Sequence, residues 1–238
     1  MNIAIIPARG GSRRIPQKNI KHFAGQPIIA YPIKAALTSG CFDHVMVSTD
    51  NEQIARIARD YGASTPFYRT SGTANDVASL HDVVLETLTG LSNLNHVIEQ
   101  VAVILPTTPM LNVNTIKNVM RFVDHPEYDS AITVTEYAVS PQRALSLSPD
   151  GTIIKHHNVQ PGIRSQEQPK YLHDAGQMYA FHAADVSQRN TLSGAKCQAI
   201  ILDYMQCQDI DTDDDWAIAE FKYMKQLGHL TDEALKLI

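Results

Sequence analysis

The apolar run Ile3-Ala4-Ile5-Ile6 empties directly into Pro7-Ala8-Arg9-Gly10-Gly11-Ser12-Arg13-Arg14-Ile15-Pro16-Gln17-Lys18-Asn19, and this junction constrains the fold more than any other feature. A short apolar run of this kind reads as a strand of a buried parallel sheet, with the loop at its carboxyl end. From Arg9 to Lys21 the loop carries five basic side chains and no acidic one. Gly10-Gly11 lets backbone amides face a bound group closely, since no Cβ stands in the way. Amides and cations converging at a strand end suit an anion with several charged oxygens, such as a nucleoside triphosphate. Arg9 can grip a phosphate bidentately, whereas Lys18 offers a mobile point charge. In an extended loop Arg13 and Arg14 cannot both face one ligand, so one of them is expected to be solvated. The loop is neither Gly-x-x-x-x-Gly-Lys-Ser/Thr nor Gly-x-Gly-x-x-Gly, so neither P-loop hydrolysis nor hydride transfer is expected.

Strand and helix patterns then alternate. Residues 27–38 read as a helix with Pro27 in its first turn and Gly40 past its end. His44–Ser48 is a strand, and Asn51–Tyr61 a helix with Ile54, Ala55, Ile57 and Ala58 on one stripe, stopped by Gly62. Thr65–Tyr68 reads as a short extended piece, and Asp76–Leu88 as a helix with Val77, Leu80, Val84 and Leu88 in phase. Val97–Leu105 is the most apolar strand and is expected at the sheet centre. Asn114–Phe122 is a helix, Ala131–Thr135, Gly176–Phe181 and Ala199–Leu202 are strands, and Thr212–Leu227 is the closing helix. This alternation predicts an α/β fold with a doubly wound, mostly parallel sheet. Ligands then belong at the carboxyl ends of the strands, where Arg9, Asp50 and Pro106-Thr107-Thr108 lie. Residues 139–175, with Pro141, Pro149, Pro161 and Pro169 and a short strand-like Thr152–His156, break the rhythm. They read as an inserted arm of a single 1–238 domain, one that packs on a second subunit.

A net charge of -5 argues against nucleic-acid binding through a basic face, so the basic loop marks a local anion site. Cys41, Cys197 and Cys207 lack metal-like spacing and fit reduced thiols in a cytoplasmic protein. No signal-like leader and no membrane-length apolar run is present, so neither export nor a membrane partner is expected. His156-His157 has no partner at ligand spacing. Trp216 and the Phe221/Met224 stripe are expected in the core.

The segment Asp209-Ile210-Asp211-Thr212-Asp213-Asp214-Asp215-Trp216 packs five carboxylates into seven residues before Trp216. Helix capping accounts for three: Thr212 is a good N-cap, Asp215 completes a capping box, and Asp213 to Asp215 favour the positive helix start. Asp209 and Asp211, at i and i+2 on an extended segment, share one face. Two hard oxygen donors side by side suit Mg²⁺, with Mn²⁺ as the alternative, held jointly with substrate phosphates.

Ile-Pro-Ala-Arg-Gly-Gly-Ser-Arg-x-Ile-Pro-x-Lys-Asn at 6–19 resembles the signature of sugar-acid cytidylyltransferases, the enzymes that make CMP-sugars. The resemblance continues in Val47-Ser48-Thr49-Asp50, in Arg69 ahead of Asn75-Asp76-Val77-Ala78-Ser79, in Leu105-Pro106-Thr107-Thr108-Pro109 and in Asp209-Ile210-Asp211-Thr212, nearly the whole chain. Three segments look most like the pseudaminic acid branch: Pro141-Gln142-Arg143-Ala144-Leu145, Arg164-Ser165-Gln166 and His173-Asp174-Ala175-Gly176-Gln177-Met178-Tyr179. The sialic acid branch typically has Asn-Gly-Ala-Ile-Tyr where this chain has residues 174–179, and Gln where it has Leu105. Arg13 stands where Lys is usual.

The resemblance implies a Rossmann-like domain and a homodimer whose arm covers the other subunit's sugar site. It implies that CMP passes from CTP to the anomeric hydroxyl of a nine-carbon 2-keto sugar acid, with loss of pyrophosphate. Arg9, Arg13 and Lys18, with the amides of Gly10, Gly11 and Ser12, would hold the triphosphate and stabilise the leaving group. The backbone of Pro7-Ala8 and the side chain of Arg69 would read cytosine, with Asn19 and Ser79 near the ribose. A sugar carboxylate needs a cation, for which Arg143 and Arg164 are candidates. Gln142, Gln166, Asp174 and Gln177 would serve its hydroxyl and acylamino groups. N-acetylneuraminic, legionaminic or an eight-carbon keto-deoxy acid are alternative substrates. A metal-dependent glycosyltransferase and a non-catalytic nucleotide-binding regulator are the competing classes.

Overall fold

The structure is a computed structural model and describes residues 1–156 and 169–228. Its elements run β1 (Asn2–Pro7), β2 (His22–Phe23), β3 (Gln26–Pro27), α1 (Ala30–Ser39), β4 (His44–Ser48), α2 (Glu52–Asp60), α3 (Leu80–Asn93), β5 (Gln100–Ile104), α4 (Val113–Val123), β6 (Ser130–Glu136), β7 (Leu145–Leu147), β8 (Ile153–Lys155), β9 (Leu172–His182), α5 (Ala183–Val186), β10 (Cys197–Leu202) and α6 (Asp213–Gln226). The main sheet has the order β10-β6-β9-β5-β1-β4. β1 lies parallel between β4 and β5, and β10 lies parallel to β6, while β9 runs antiparallel to both β5 and β6. The sheet is therefore mostly parallel, with one reversed strand inside it.

Alternation along β1 divides the core. Ala4 and Ile6 face α1, α2 and α4, whereas Ile3 and Ile5 face α3 and α5. β5 is buried throughout and central, as its composition predicts. The chain leaves β1 toward β4 on one side and later returns to β5 on the other. The carboxyl ends of β1 and β5 thus flank a switch point, where an α/β sheet opens a crevice. A third cluster, Ile15, Phe23, Ile28, Tyr31, Met110, Ile210, Trp216 and Ala219, welds the basic loop and the acidic segment to the same end of the sheet.

Local chemistry moves several expected boundaries. Pro27 is not in a helix: it pairs with His22 across the Ala24-Gly25 turn, and α1 starts at Ala30. Both turn residues have positive φ, 44° at Ala24 and 96° at Gly25, which suits a two-residue hairpin. α3 starts at Leu80 rather than Asp76, because Ser79 and Asp82 form a capping box. Asn75 Oδ1 accepts the amides of Val77 and Ala78, and Val77 is 92% exposed. Thr65–Tyr68 forms no strand; Ser64 makes a single bridge to Met46. Val97 is exposed, and its strand begins at Gln100. Trp216 is buried as expected, but Phe221 and Met224 lie on the exposed side of α6. Within 139–175, β7 and β8 form an antiparallel hairpin, and Leu172 onward belongs to β9 of the main sheet. The three cysteines are free. Among the described residues no helix is long and apolar enough to cross a membrane.

Candidate active site

A cleft of about 540 Å³ opens at the switch point. One wall is the loop after β1: Pro7, Arg9, Ser12, Arg13, Arg14, Lys18 and Asn19. The other is formed by Asp209 and Asp211, while Arg69, Asp76 and Ser79 close a third side and Leu105-Pro106-Thr107 the floor.

The loop is pinned from behind. The amide of Ala8 donates to Ser48 O at 2.9 Å, that of Gly10 to Asp50 Oδ1 at 2.8 Å, and Asn19 Nδ2 to Arg9 O at 3.0 Å. Gly10 is required by a close approach: a Cβ there would stand 2.9 Å from Asn51 Nδ2. Asn51 is itself the N-cap of α2. Gly11 faces open space. The Ser12 amide donates to Gly10 O at 3.1 Å. Of the three amides expected at the phosphates, those of Gly10 and Ser12 are thus engaged within the protein. Asn19 is buried and spends its side-chain amide on the loop itself.

Both Arg13 and Arg14 border the cleft, because the loop is coiled rather than extended, and both are solvated there as was expected of one, with side chains 82% and 67% exposed. The cations have carboxylate partners across the opening. Arg9 and Arg13 both bind Asp76, Arg14 bonds Asp211 at 2.9 Å, and Lys18 donates to Ile210 O at 2.5 Å and lies 3.5 Å from Asp211. The hydrogen bond and charge of Arg9, with the charge of Arg13, hold the Asp76 carboxyl below its usual range.

Asp209 and Asp211 both line the cleft because Ile210 between them is fully buried beside Ile15 and Trp216. Desolvation and the neighbouring Asp211 charge push the Asp209 carboxyl up. A half-buried carboxylate pair of this sort is relieved by a divalent cation, and its all-oxygen donor set fits Mg²⁺. Among the described residues no group of three or more His, Cys, Asp and Glu side chains converges, so the fit is to a metal shared with phosphate oxygens rather than a protein-only cage. Thr212 and Asp215 form the expected capping box, which leaves Asp209 and Asp211 outside the helix.

Arg69 is a cation of the cleft wall set well into the protein. Its Nε donates to Ser48 Oγ at 2.9 Å, and burial pulls the guanidinium down to about 10, still charged at neutral pH. Its Nη2 is buried and has no partner among the described residues. A buried donor left open calls for an acceptor on a ligand. Ser79 lines the cleft while capping α3.

Of the residues expected at a sugar, Gln142, Arg143, Asp174 and Gln177 do not line this cleft. Arg143 borders a separate cavity of about 290 Å³ with Glu136, Lys170 and Tyr171. Gln142 Nε2 donates to Tyr171 Oη at 2.8 Å. Gln177 is buried, and its Nε2 donates to Gln206 O at 2.7 Å. Asp174 Oδ2 accepts from Tyr179 Oη at 2.5 Å. A Cβ on Gly176, whose φ is +62°, would lie 4.0 Å from Asp209 Cγ, so this end of β9 abuts the acidic wall. Arg164 and Gln166 lie outside the described residues. Asp76 was missed as a cleft residue because a helical reading of 76–88 hides a side chain that turns back to the loop.

A model of the family described as Cytidylyltransferase matches residues 3–235. Pseudaminic acid cytidylyltransferase of Campylobacter jejuni (strain 81-176) is 34% identical over 93% of this chain and 96% of its own length. CMP-N,N'-diacetyllegionaminic acid synthase of Legionella pneumophila is 32% identical over 98% of each chain. Among solved structures, CMP:2-keto-3-deoxy-manno-octonic acid synthetase complexed with CTP superposes with a TM-score of 0.67 at 17% identity, covering 94% of this chain and 99% of that one.

Proposed function

The chain belongs to the cytidylyltransferase family, and from that premise we propose that it transfers CMP from CTP to the anomeric hydroxyl of pseudaminic acid. The sugar oxygen attacks the α-phosphorus, the bond to the bridging oxygen breaks, and pyrophosphate leaves. The observation that carries this reading is one cleft walled by Arg9, Arg13, Arg14 and Lys18 on one side and by Asp209 and Asp211 on the other. Such an arrangement neutralises a triphosphate and aligns it, which is most of what phosphoryl-type transfer asks of a protein.

Arg9, Arg13 and Lys18 hold the triphosphate and stabilise the departing pyrophosphate. Arg69, with its free Nη2, donates to the cytosine, and Pro7-Ala8 present backbone to the same ring. Asn19 and Ser79 lie by the ribose. Asp209 and Asp211 hold Mg²⁺, which when bound supplies charge neutralisation and lowers the pKa of an attacking hydroxyl. The sugar is met by Arg143, Gln142 and Asp174, with Arg164 and Gln166 of the undescribed segment; Gln177 acts from behind through Gln206. Because Arg143 stands away from the cleft, this reading has the arm reach the cleft of a second copy in a homodimer. Pseudaminic acid is favoured by the C. jejuni relative and by residues 141–145 and 173–179. A legionaminic acid is the second reading, since the Legionella relative matches almost end to end.

The test is pyrophosphate release with CTP and Mg²⁺, offering pseudaminic, legionaminic and N-acetylneuraminic acids in parallel. Preference for pseudaminic acid is expected. Turnover with another acid alone would overturn the substrate, and no release with any would overturn the reaction.

A further inference from the structure

We propose that Lys222 is a positioning residue for the Asp209/Asp211 pair, acting through Gln208; this rests on reading those two aspartates as the metal carboxylates. Lys222 is a lysine only 2% exposed, in the interior of α6. Its Nζ donates to Tyr204 O at 2.9 Å, Cys207 O at 2.8 Å and Gln208 Oε1 at 3.0 Å. Those bonds use all three hydrogens of an ammonium, and every acceptor is a neutral oxygen. Burying a charge on neutral oxygens costs stability that an apolar side chain would not. The three oxygens belong to the turn that delivers the chain to Asp209, so the buried charge holds that turn in place.

The bonds continue from there into the acidic wall. Gln208 Nε2 donates to Asp209 O at 3.1 Å and to Asp215 Oδ1 at 3.4 Å. Asp215 Oδ2 in turn accepts the amides of Asp211 at 3.1 Å and Thr212 at 2.8 Å. Asp215 and Lys222 stand seven residues apart, two turns along one face of α6, and Gln208 is clamped between them. One lysine therefore fixes the backbone on the N-terminal side of Asp209, and the same network fixes it at Asp211. Ile210 anchors the middle by burial. Lys222 lines no part of the cleft, so its effect on a bound metal passes only through this network.

The experiment compares the wild-type protein with Lys222→Met, Lys222→Arg and Gln208→Leu. Two bindings are read separately: Mn²⁺ to the protein–CTP complex by electron paramagnetic resonance, and CTP alone in excess chelator by calorimetry. Loss of an outer-sphere partner typically weakens a metal site by about ten- to a hundredfold. Lys222→Met and Gln208→Leu are expected to weaken Mn²⁺ by about tenfold while metal-free CTP binding stays within about twofold. Lys222→Arg, which keeps the charge, is expected to recover part of the loss. Equal weakening of both bindings, or no change in Mn²⁺ binding, would overturn the proposal, as would a wild-type complex that binds no Mn²⁺. If Lys222→Met does not fold, Gln208→Leu decides the question by the same two readings. Mn²⁺ results as expected, in a protein that releases no pyrophosphate with any sugar acid, would leave the positioning role standing and remove the proposed reaction.

Discussion

Arg69 and Asp76 carry opposite consequences for a ligand. The Arg69 guanidinium keeps one buried nitrogen open, so a ligand acceptor gains a charge-assisted bond without displacing a protein partner. Arg69→Lys removes the fork that serves Ser48 and the cleft together. It is expected to raise the KM for CTP by roughly ten- to a hundredfold while changing that of the sugar little. Steady-state kinetics with each substrate varied in turn would check this, and equal effects on both would refute the base-contact role. Asp76 already occupies Arg9 and Arg13, and phosphate oxygens must compete with it. Asp76→Asn should therefore tighten CTP binding severalfold, and calorimetry showing weaker binding would sink that expectation. Glu86 supports Arg69 from behind, accepting the Thr70 amide at 2.8 Å and the Thr73 hydroxyl. Burial alone would raise its carboxyl, but these hydrogen bonds and the Arg69 charge outweigh it and hold it low. A carboxyl lower in the folded than in the unfolded state lends stability above its unfolded value, about 4.3, and loses it as pH falls through the folded one. In thermal melts the stability advantage of the wild type over Glu86→Gln should accordingly shrink as pH falls below about 4.3.

At the scale of elements, two packing devices set the cleft. The first is the join between the loop and α2. Because a Cβ on Gly10 would press on Asn51, whose Oδ1 caps Gln53 and Ile54, Gly10→Ala is expected to cost about 1 kcal/mol of cap. It should also swing the Arg9 side of the loop, read as a lower melting temperature together with weaker CTP binding. The second is the aromatic cluster in which Phe23 meets Tyr31, Trp216 and Tyr223 edge-on at 5.5 to 5.6 Å. It ties β2, α1 and α6 together and carries Ile15 and Ile210, one from each wall of the cleft. Trp216→Ala is predicted to cost about 3–5 kcal/mol, measured by denaturant unfolding, because the cavity opens where neither wall can collapse into it.

For the whole molecule, the hairpin β7–β8 is the feature a lone chain does not explain. Val139, Leu145, Leu147 and Ile153 are each more than half exposed, too apolar a run for a surface that meets only water. In the proposed homodimer these side chains meet the second copy, and Arg143 arrives with them. Leu147→Asp combined with Ile153→Asp is predicted to shift the protein to monomer mass in sedimentation. Turnover of the sugar acid should fall with it while CTP binding persists. A wild-type protein that already sediments as a monomer would remove the arm's proposed role.

Much was legible in the residues alone. The strand and glycine loop at 3–19, the Thr212 cap and the i, i+2 aspartates are local patterns, and local hydrogen bonding and periodicity are enough to specify them. The match of the family along residues 3–235 agrees with that reading. Pairings between distant segments were not legible. That β9 runs antiparallel between two parallel blocks depends on where a long connection returns, which no local pattern encodes. Asp76 reaching back to Arg9, and Lys222 reaching Cys207 and Gln208, depend on which helix face packs inward. The sequence by itself determined the chemistry of each wall of the cleft, because side-chain type is a local property. Tertiary structure alone decided that those walls face one another, because only the buried cluster around Phe23 and Ile210 sets their separation.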